Sequence, residues 1–177
     1  MRKQKGFSLI ELLIVVAIIL IIAAIAIPNL LRARIAANDS AAASTMRTVN
    51  TAEVTYSTTY VAAGYAADLV NLGPNGKDCT NPTSPTSTSA CLIDDVLGCT
   101  AQPCTKAAYK YALTSTAPAA ATVPDYTFSA VPLGTSTGTK TFCSNADAVV
   151  RSKLFVAGDT VPVVGTACAI APYQAIQ

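Results

Sequence analysis

The chain has 177 residues, of which 51% are hydrophobic and only 12% are charged, and its formal net charge is +2. It contains no histidine, which excludes a Ser-His-Asp triad and removes the commonest metal ligand. The basic residues Arg2, Lys3 and Lys5 exceed the whole net charge, so the rest of the chain has no basic excess that would favour nucleic acid as a partner.

A long apolar run begins close to the N-terminus. Every residue from 12 to 27 is Leu, Ile, Val or Ala, and no charged residue lies between Glu11 and Arg32. A helix over residues 7–31 would be roughly 37 Å long at 1.5 Å per residue, enough to cross a hydrocarbon core of about 30 Å. Because this helix is apolar on all sides, we expect it in lipid or inside a bundle of similar helices.

Two residues distinguish this run from a simple apolar span. Glu11 lies near its start, and an unpaired carboxylate buried there would cost about 3 kcal/mol. Pro28 lies near its far end, where it is predicted to kink or locally melt the helix, because it has no N–H and its ring clashes with the preceding turn.

An ordinary secretory signal peptide and a plain membrane anchor are the alternatives. The apolar run is longer than the roughly 7–15 residues typical of a signal peptide, and a plain anchor gives no reason for Glu11.

Beyond Pro28 the pattern becomes amphipathic. Spacings of three and four residues, or sums of these, connect the apolar and aromatic residues Ile35, Ala42, Met46, Val49, Tyr56 and Tyr60. We therefore expect one face of residues 32–60 to pack on a globular domain while the other stays polar. The charged residues, Glu53 among them, lie between the apolar ones, and several of them fall outside that stripe. The helix should stop near Gly64. Residues 80–90 are rich in Thr, Ser and Pro and should be exposed, and residues 92–97 are predicted to form one or two helical turns.

Strand patterns follow in the second half of the chain. Residues 109–114, 126–131 and 139–143 alternate roughly by two, and residues 148–153 are a possible fourth strand. Turn residues separate the second from the third. The sequence therefore predicts an α+β fold, in which a long N-terminal helix, half transmembrane and half packed, lies on a C-terminal antiparallel sheet domain.

The chain has six cysteines, all beyond the apolar run: Cys79, Cys91, Cys99, Cys104, Cys143 and Cys168. Arg2, Lys3 and Lys5 would hold the start of the apolar run on the cytoplasmic side, so the cysteines lie on the side that leaves the cytoplasm. An even number there predicts disulfides. Several pairings are possible, and proximity in sequence favours Cys79–Cys91, Cys99–Cys104 and Cys143–Cys168. A zinc site at Cys99 and Cys104 is disfavoured, because the chain has neither histidine nor a tight Cys-x2-Cys pair.

No catalytic arrangement is evident in the sequence. Asp94 and Asp95 are adjacent carboxylates whose side chains diverge on a helix or strand, and a solvated loop is their simplest interpretation. No glycine-rich phosphate loop or nucleophile elbow is present. We therefore predict a protein that is not an enzyme and that has no cofactor and no metal.

The order of the N-terminal features resembles type IV pilins and the pseudopilins of type II secretion. The shared features are a short basic leader, the Gly6-Phe7 junction, Glu11 at the fifth position counted from Phe7, and the long apolar helix with Pro28. The resemblance implies that residues 1–6 are a leader, which a prepilin peptidase removes between Gly6 and Phe7 before N-methylating Phe7. Residues 7–31 would be the transmembrane and filament-core helix, and residues 32–177 the periplasmic or extracellular globular domain of a pilin fold, including the second half of the helix.

The resemblance also implies partners. Glu11 of one subunit would neutralise the terminal amine of a neighbour in a homo-oligomeric helical filament. Before assembly the subunit would cross the inner membrane once. An assembly platform and an ATPase motor would drive polymerisation, since nothing in this sequence binds nucleotide.

Three functional classes stay open. The Thr/Ser-rich segment and the cysteines favour a pilus on the cell surface. Residues 126–153 resemble the antiparallel meander of the major pseudopilin, with Ala148 where that family commonly has glycine, and favour a periplasmic piston of type II secretion. The third class is a membrane-tethered binding domain that never polymerises.

Overall fold

The computed structural model describes residues 7–77, 79–80, 85–115, 122–161 and 168–176. Within these residues, helix α1 (Leu9–Thr59) is followed by the short helix α2 (Leu69–Leu72) and by six strands. The strands are β1 (Cys104–Lys106), β2 (Tyr109–Ser115), β3 (Tyr126–Pro132), β4 (Lys140–Asn145), β5 (Arg151–Leu154) and β6 (Gln174–Ala175). Each strand pairs antiparallel with the next in one sheet. The predicted α+β class, a long helix on an antiparallel sheet, is confirmed.

Helix α1 has 51 residues and is therefore roughly 76 Å long. Pro28 lies inside it without interrupting it, so the predicted local melting is wrong. The flanking Leu, Ile and Ala residues favour helix, and proline removes only one backbone hydrogen bond. The predicted kink at Pro28 stays a prediction.

The strand predictions for residues 109–114, 126–131 and 139–143 are confirmed by β2, β3 and β4. The fourth strand begins later than expected, at Arg151, because the preceding residues form a turn in which Ala148 N–H donates to Asn145 O at 2.9 Å. Ala148 has a φ of 58°, in the left-handed region that favours glycine. That conformation cannot continue a strand.

Three short elements were not predicted. Helix α2, β1 and β6 have only four, three and two residues, too few for a periodicity to show. Of residues 92–97, predicted to form one or two helical turns, the last four form a single turn, in which Gly98 N–H donates to Asp94 O at 2.8 Å and Leu97 N–H donates to Asp94 Oδ1 at 2.9 Å. The aspartate carboxylate thus caps the start of this turn.

The core lies between the second half of α1 and the sheet. Ala42, Met46, Val49 and Tyr56 are buried, as the amphipathic pattern predicted, whereas Ile35 and Tyr60 are only partly buried. The sheet contributes five large buried aromatic side chains, which belong to Tyr109, Tyr111, Tyr126, Phe128 and Phe142. Each such side chain buries a large apolar area, and in the described structure the second half of α1 packs against them.

Three disulfides join Cys79 to Cys91, Cys99 to Cys104 and Cys143 to Cys168. They are the pairs that proximity in sequence favours. The first closes the Thr/Ser-rich segment, and the third ties the C-terminal segment to β4. By reducing the conformational entropy of the unfolded chain, such links stabilise the fold by about 2–3.5 kcal/mol each, least for the short Cys99–Cys104 loop.

Candidate functional site

The first half of α1 has no partner within the chain. Its large apolar side chains are exposed from Phe7, which is 79% accessible, to Leu31. By length and composition α1 is able to cross a membrane, and its most apolar window is not buried against any part of the described structure. Because so much apolar surface is unfavourable in water, this segment requires lipid or other helices around it.

Glu11 lies in the first turn of α1 and contacts the helix's own start. Ser8 is the N-cap residue, with extended backbone, and its N–H donates to Glu11 Oε2 at 2.9 Å. A carboxylate at this position satisfies one of the free N–H groups of a helix N-terminus and is favoured by the helix dipole. Glu11 is exposed, and Oε1 has no hydrogen bond in the described part of the chain.

The other predicted processing residues lie at the same end. Phe7 precedes the N-cap and is exposed, so the structure brings Phe7, Ser8 and Glu11 together. Gly6 lies outside the described residues. The cleavage, the methylation of Phe7 and the pairing of Glu11 with a neighbour therefore stay predictions.

The apolar segment meets the globular domain at Asn38 and Asp39. Asn38 Nδ2 donates to Thr137 O at 2.9 Å, and Asp39 Oδ1 accepts from Thr139 N–H at 3.1 Å and from Tyr109 Oη at 2.6 Å. Burial and the hydrogen bond to Asp39 raise the pKa of Tyr109, so its hydroxyl stays a donor. These bonds hold α1 rigidly to the turn between β3 and β4, at the point where the exposed helix begins.

A second polar contact holds the middle of the packed half of α1. Asn50 is buried and donates from Nδ2 to Ser144 Oγ at 2.9 Å and to Ala148 O at 3.0 Å. Its Oδ1 accepts from Tyr126 Oη at 3.2 Å. Because each of these groups would be costly to bury alone, the contact sets the position of α1 along the sheet.

Glu53 is a buried acid whose burial was not predicted from the sequence. It is 0% accessible; Oε2 accepts from Ala66 N–H at 2.9 Å, and Oε1 has no partner among the described residues. Burial raises the pKa of Glu53 to about 8, although the hydrogen bond from Ala66 acts in the opposite direction. The signal was present: Glu53 lies four residues after Val49 and three before Tyr56, on the apolar stripe.

Among the described residues, no group of His, Cys, Asp or Glu is arranged to hold a metal ion. Asp94, one member of the adjacent carboxylate pair, binds Lys106 in an exposed ion pair and takes part in the turn described above.

The chain is similar to known proteins over short parts of its length. Residues 1–27 match the family described as the prokaryotic N-terminal methylation motif. The chain is 70% identical, over 40 residues, to the type IV wide pilus major component PilA4 of Thermus thermophilus. That match covers 23% of this chain and 30% of the relative, so most of the globular domain lies outside it. No solved structure matches the chain.

The methylation motif and the similarity to a type IV pilin agree with the exposed apolar helix and with the acid in its first turn. The resemblance inferred from the sequence is confirmed for part of the chain: residues 1–27 carry the prokaryotic N-terminal methylation motif, and 40 residues are similar to a type IV pilin.

Proposed function

We propose that this chain is the structural subunit of a type IV pilus, assembled through its N-terminal helix after removal of residues 1–6. The observation that carries the proposal is the exposed apolar helix, with Glu11 in its first turn and a compact domain behind it. The similarity of part of the chain to a pilus major component supports it.

In this proposal cohesion comes from the first half of α1. The subunit waits in the inner membrane with residues 7–31 in lipid, and it moves from lipid into a bundle of identical helices during assembly. Both surroundings are apolar, so the transfer does not expose the helix to water. An assembly platform and an ATPase motor would supply the work of extraction, and a prepilin peptidase would create the mature end at Phe7.

Glu11 would set the register of the filament. In the single chain one carboxylate oxygen accepts from Ser8 N–H and the other has no partner in the described residues. Cleavage before Phe7 creates a positive amine at the same end of the helix, and the amine of a neighbouring subunit would pair with Glu11. A slip along the bundle would leave both charges unpaired in a dry core, at about 3–5 kcal/mol. The pair therefore selects one register, while apolar contacts supply most of the stability.

The test is Glu11→Ala in cells that assemble the filament, with Glu11→Gln as the isosteric variant. We expect both variants to be inserted in the membrane, and sheared filament yield to fall more than about tenfold. N-terminal sequencing of the purified wild-type subunit should begin at Phe7. Asp95→Asn, which neutralises an exposed acid of the globular domain, is the matched control and should assemble normally. Normal filament yield from both Glu11 variants would contradict the assembly role.

A pseudopilin of type II secretion is the second candidate. Strands β3, β4 and β5 form an antiparallel meander over the residues that resemble the major pseudopilin. Deletion of the gene separates the two functions. Loss of surface fibres with normal export of secreted proteins supports a pilus, and the opposite result supports the pseudopilin.

A further inference from the structure

The end of the globular domain nearest to the apolar segment exposes large apolar side chains. Leu154 is 75% accessible, and Val156 and Leu133 are also exposed. They lie at strand ends and in turns, where polar residues would be the ordinary choice. The core therefore does not account for them.

Hydrogen bonds place these residues beside the start of the packed half of α1. Leu133 N–H donates to Ala108 O at 3.0 Å, and Phe155 N–H donates to Thr139 O at 2.8 Å. Asn38 also contacts the turn between β3 and β4, because its Nδ2 donates to Thr137 O. The β1–β2 turn, the β3–β4 turn and the end of β5 thus lie together, at the end of the domain from which the apolar helix emerges.

This end of the domain lies close to the boundary of the apolar segment. A groove of about 560 Å³ is lined by three residues of α1 and by residues of the two turns, namely Leu31, Arg34, Asn38, Ala107, Ala108, Ser136 and Thr137. Leu31 is the last apolar residue before Arg32. Asn38, the first residue hydrogen-bonded to the domain, is roughly 10 Å further along the helix. The headgroup layer outside the hydrocarbon core is roughly 5–8 Å thick, so the turns would stand at its surface.

The same end carries an excess of exposed cations. Arg32, Arg34, Lys110 and Lys140 are exposed, and none of them belongs to an ion pair found in the described residues. Of the nearby carboxylates, Asp159 pairs with Lys153 and Asp94 pairs with Lys106. Asp39 accepts only from neutral donors, on Tyr109 and Thr139, and keeps its negative charge. Four exposed cations against this one carboxylate leave the accessible charge at this end positive.

We propose that this basal face, defined by Arg32, Arg34, Lys110, Lys140, Leu133, Leu154 and Val156, docks on the anionic phospholipid headgroups of the membrane that the apolar helix crosses. Apolar side chains enter the interface while lysine and arginine pair with lipid phosphates, a combination that binds negatively charged membranes. The proposal rests on the membrane-anchored state of the proposed function and does not depend on the filament. Docking would hold the waiting subunit close to the bilayer, and extraction of the helix would release it.

The chain contains no tryptophan, so a single tryptophan at the basal face reports its surroundings without background. The experiment uses the full chain with Leu154→Trp, reconstituted at low protein density in phosphatidylcholine vesicles with or without about 30% phosphatidylglycerol. Lipids brominated near the headgroup quench the indole on contact. Val61→Trp is the matched control, because Val61 is 73% accessible and follows the opposite end of α1.

We expect Leu154→Trp to be quenched in the anionic vesicles at least about twofold more than in neutral ones, and Val61→Trp to be quenched in neither. Adding Lys110→Gln and Lys140→Gln should lower the ratio of docked to undocked protein about fivefold for each cation removed, whereas Lys→Arg at both positions should preserve it. High salt should act like the Gln variants.

Equal quenching of the two tryptophan variants in both kinds of vesicle would overturn the proposal. So would quenching that rises with protein density and ignores lipid charge, because a second copy of the chain would then be covering this face. Filament assembly by Leu154→Trp is measured separately, so failure of the docking proposal is distinguishable from failure of the pilus proposal.

Discussion

Replacement of the buried acid Glu53 should change how the stability of the domain depends on pH. In the folded chain the pKa of Glu53 is raised from 4.5 to about 8 by burial, whereas in the unfolded chain the carboxyl is solvated and has an ordinary value. Between these two pH values the folded state therefore holds a proton that the unfolded state has released. The free energy of unfolding is then expected to be highest near pH 5 and to fall as the pH rises towards 8.

The size of the effect follows from the shift. Each pKa unit is worth about 1.36 kcal/mol, so the shift from 4.5 to about 8 lowers the stability by roughly 5 kcal/mol between pH 4.5 and pH 8. Carboxyl groups in ion pairs act in the opposite sense at lower pH: the pKa values of Asp94, Asp147 and Asp159 are lowered, so their contribution is lost only in more acidic solution. The range from pH 5 to pH 8 therefore isolates Glu53.

The assay is urea unfolding of the detergent-solubilised chain, followed by circular dichroism at unit steps from pH 5 to pH 9. Glu53→Gln keeps the shape of the side chain, and its amide oxygen can accept from Ala66 N–H as Glu53 Oε2 does. The variant should lose most of the pH slope and become more stable than the wild type above pH 8. Asp95→Asn is the control for a change of charge at an exposed site and should retain the slope. Parallel curves for the wild type and Glu53→Gln from pH 5 to pH 8 would refute the reasoning.

Two further changes test how the helix and the C-terminal segment are held. Tyr109→Phe removes the hydroxyl that donates to Asp39 Oδ1 and Lys140 O. It should lower the free energy of unfolding by about 1–3 kcal/mol in the same urea assay, because both acceptors lose a buried partner. An unchanged urea midpoint would show that α1 does not depend on this contact. The double variant Cys143→Ala, Cys168→Ala removes the link between β4 and the C-terminal segment. It should lower the free energy of unfolding by about 3 kcal/mol. Proteolysis near the C-terminus should become faster, and an unchanged rate of proteolysis would contradict the prediction.

The exposed half of α1 was predictable because composition alone decides it. A helix of Leu, Ile, Val and Ala that is longer than the hydrocarbon core is thick must avoid water, and lipid or other apolar helices are the surroundings that allow this. The packed half followed from spacing, since Met46, Val49 and Tyr56 recur on one face of any helix whatever lies opposite. Strands β2, β3 and β4 were predictable for a similar reason: their alternation extends over enough residues to be seen against the surrounding loops.

Other features depend on which segments meet in space, and local sequence does not contain that information. Glu53 is charged, and a charged residue ordinarily lies on the polar face of a helix. Because it shares the apolar stripe with Tyr56, it lies instead against the segment around Ala66, which covers it. Strands β1 and β6 are too short to show a pattern and exist because a neighbouring strand offers them partners. The basal face is assembled from turns far apart in the chain. The sequence by itself therefore determined that this chain has an apolar anchor and a half-buried helix on a sheet, because both depend on periodic burial along one segment. Only the tertiary structure decided where an acid is buried and which charges and apolar side chains share the face beside the membrane segment, because those depend on contacts between distant segments.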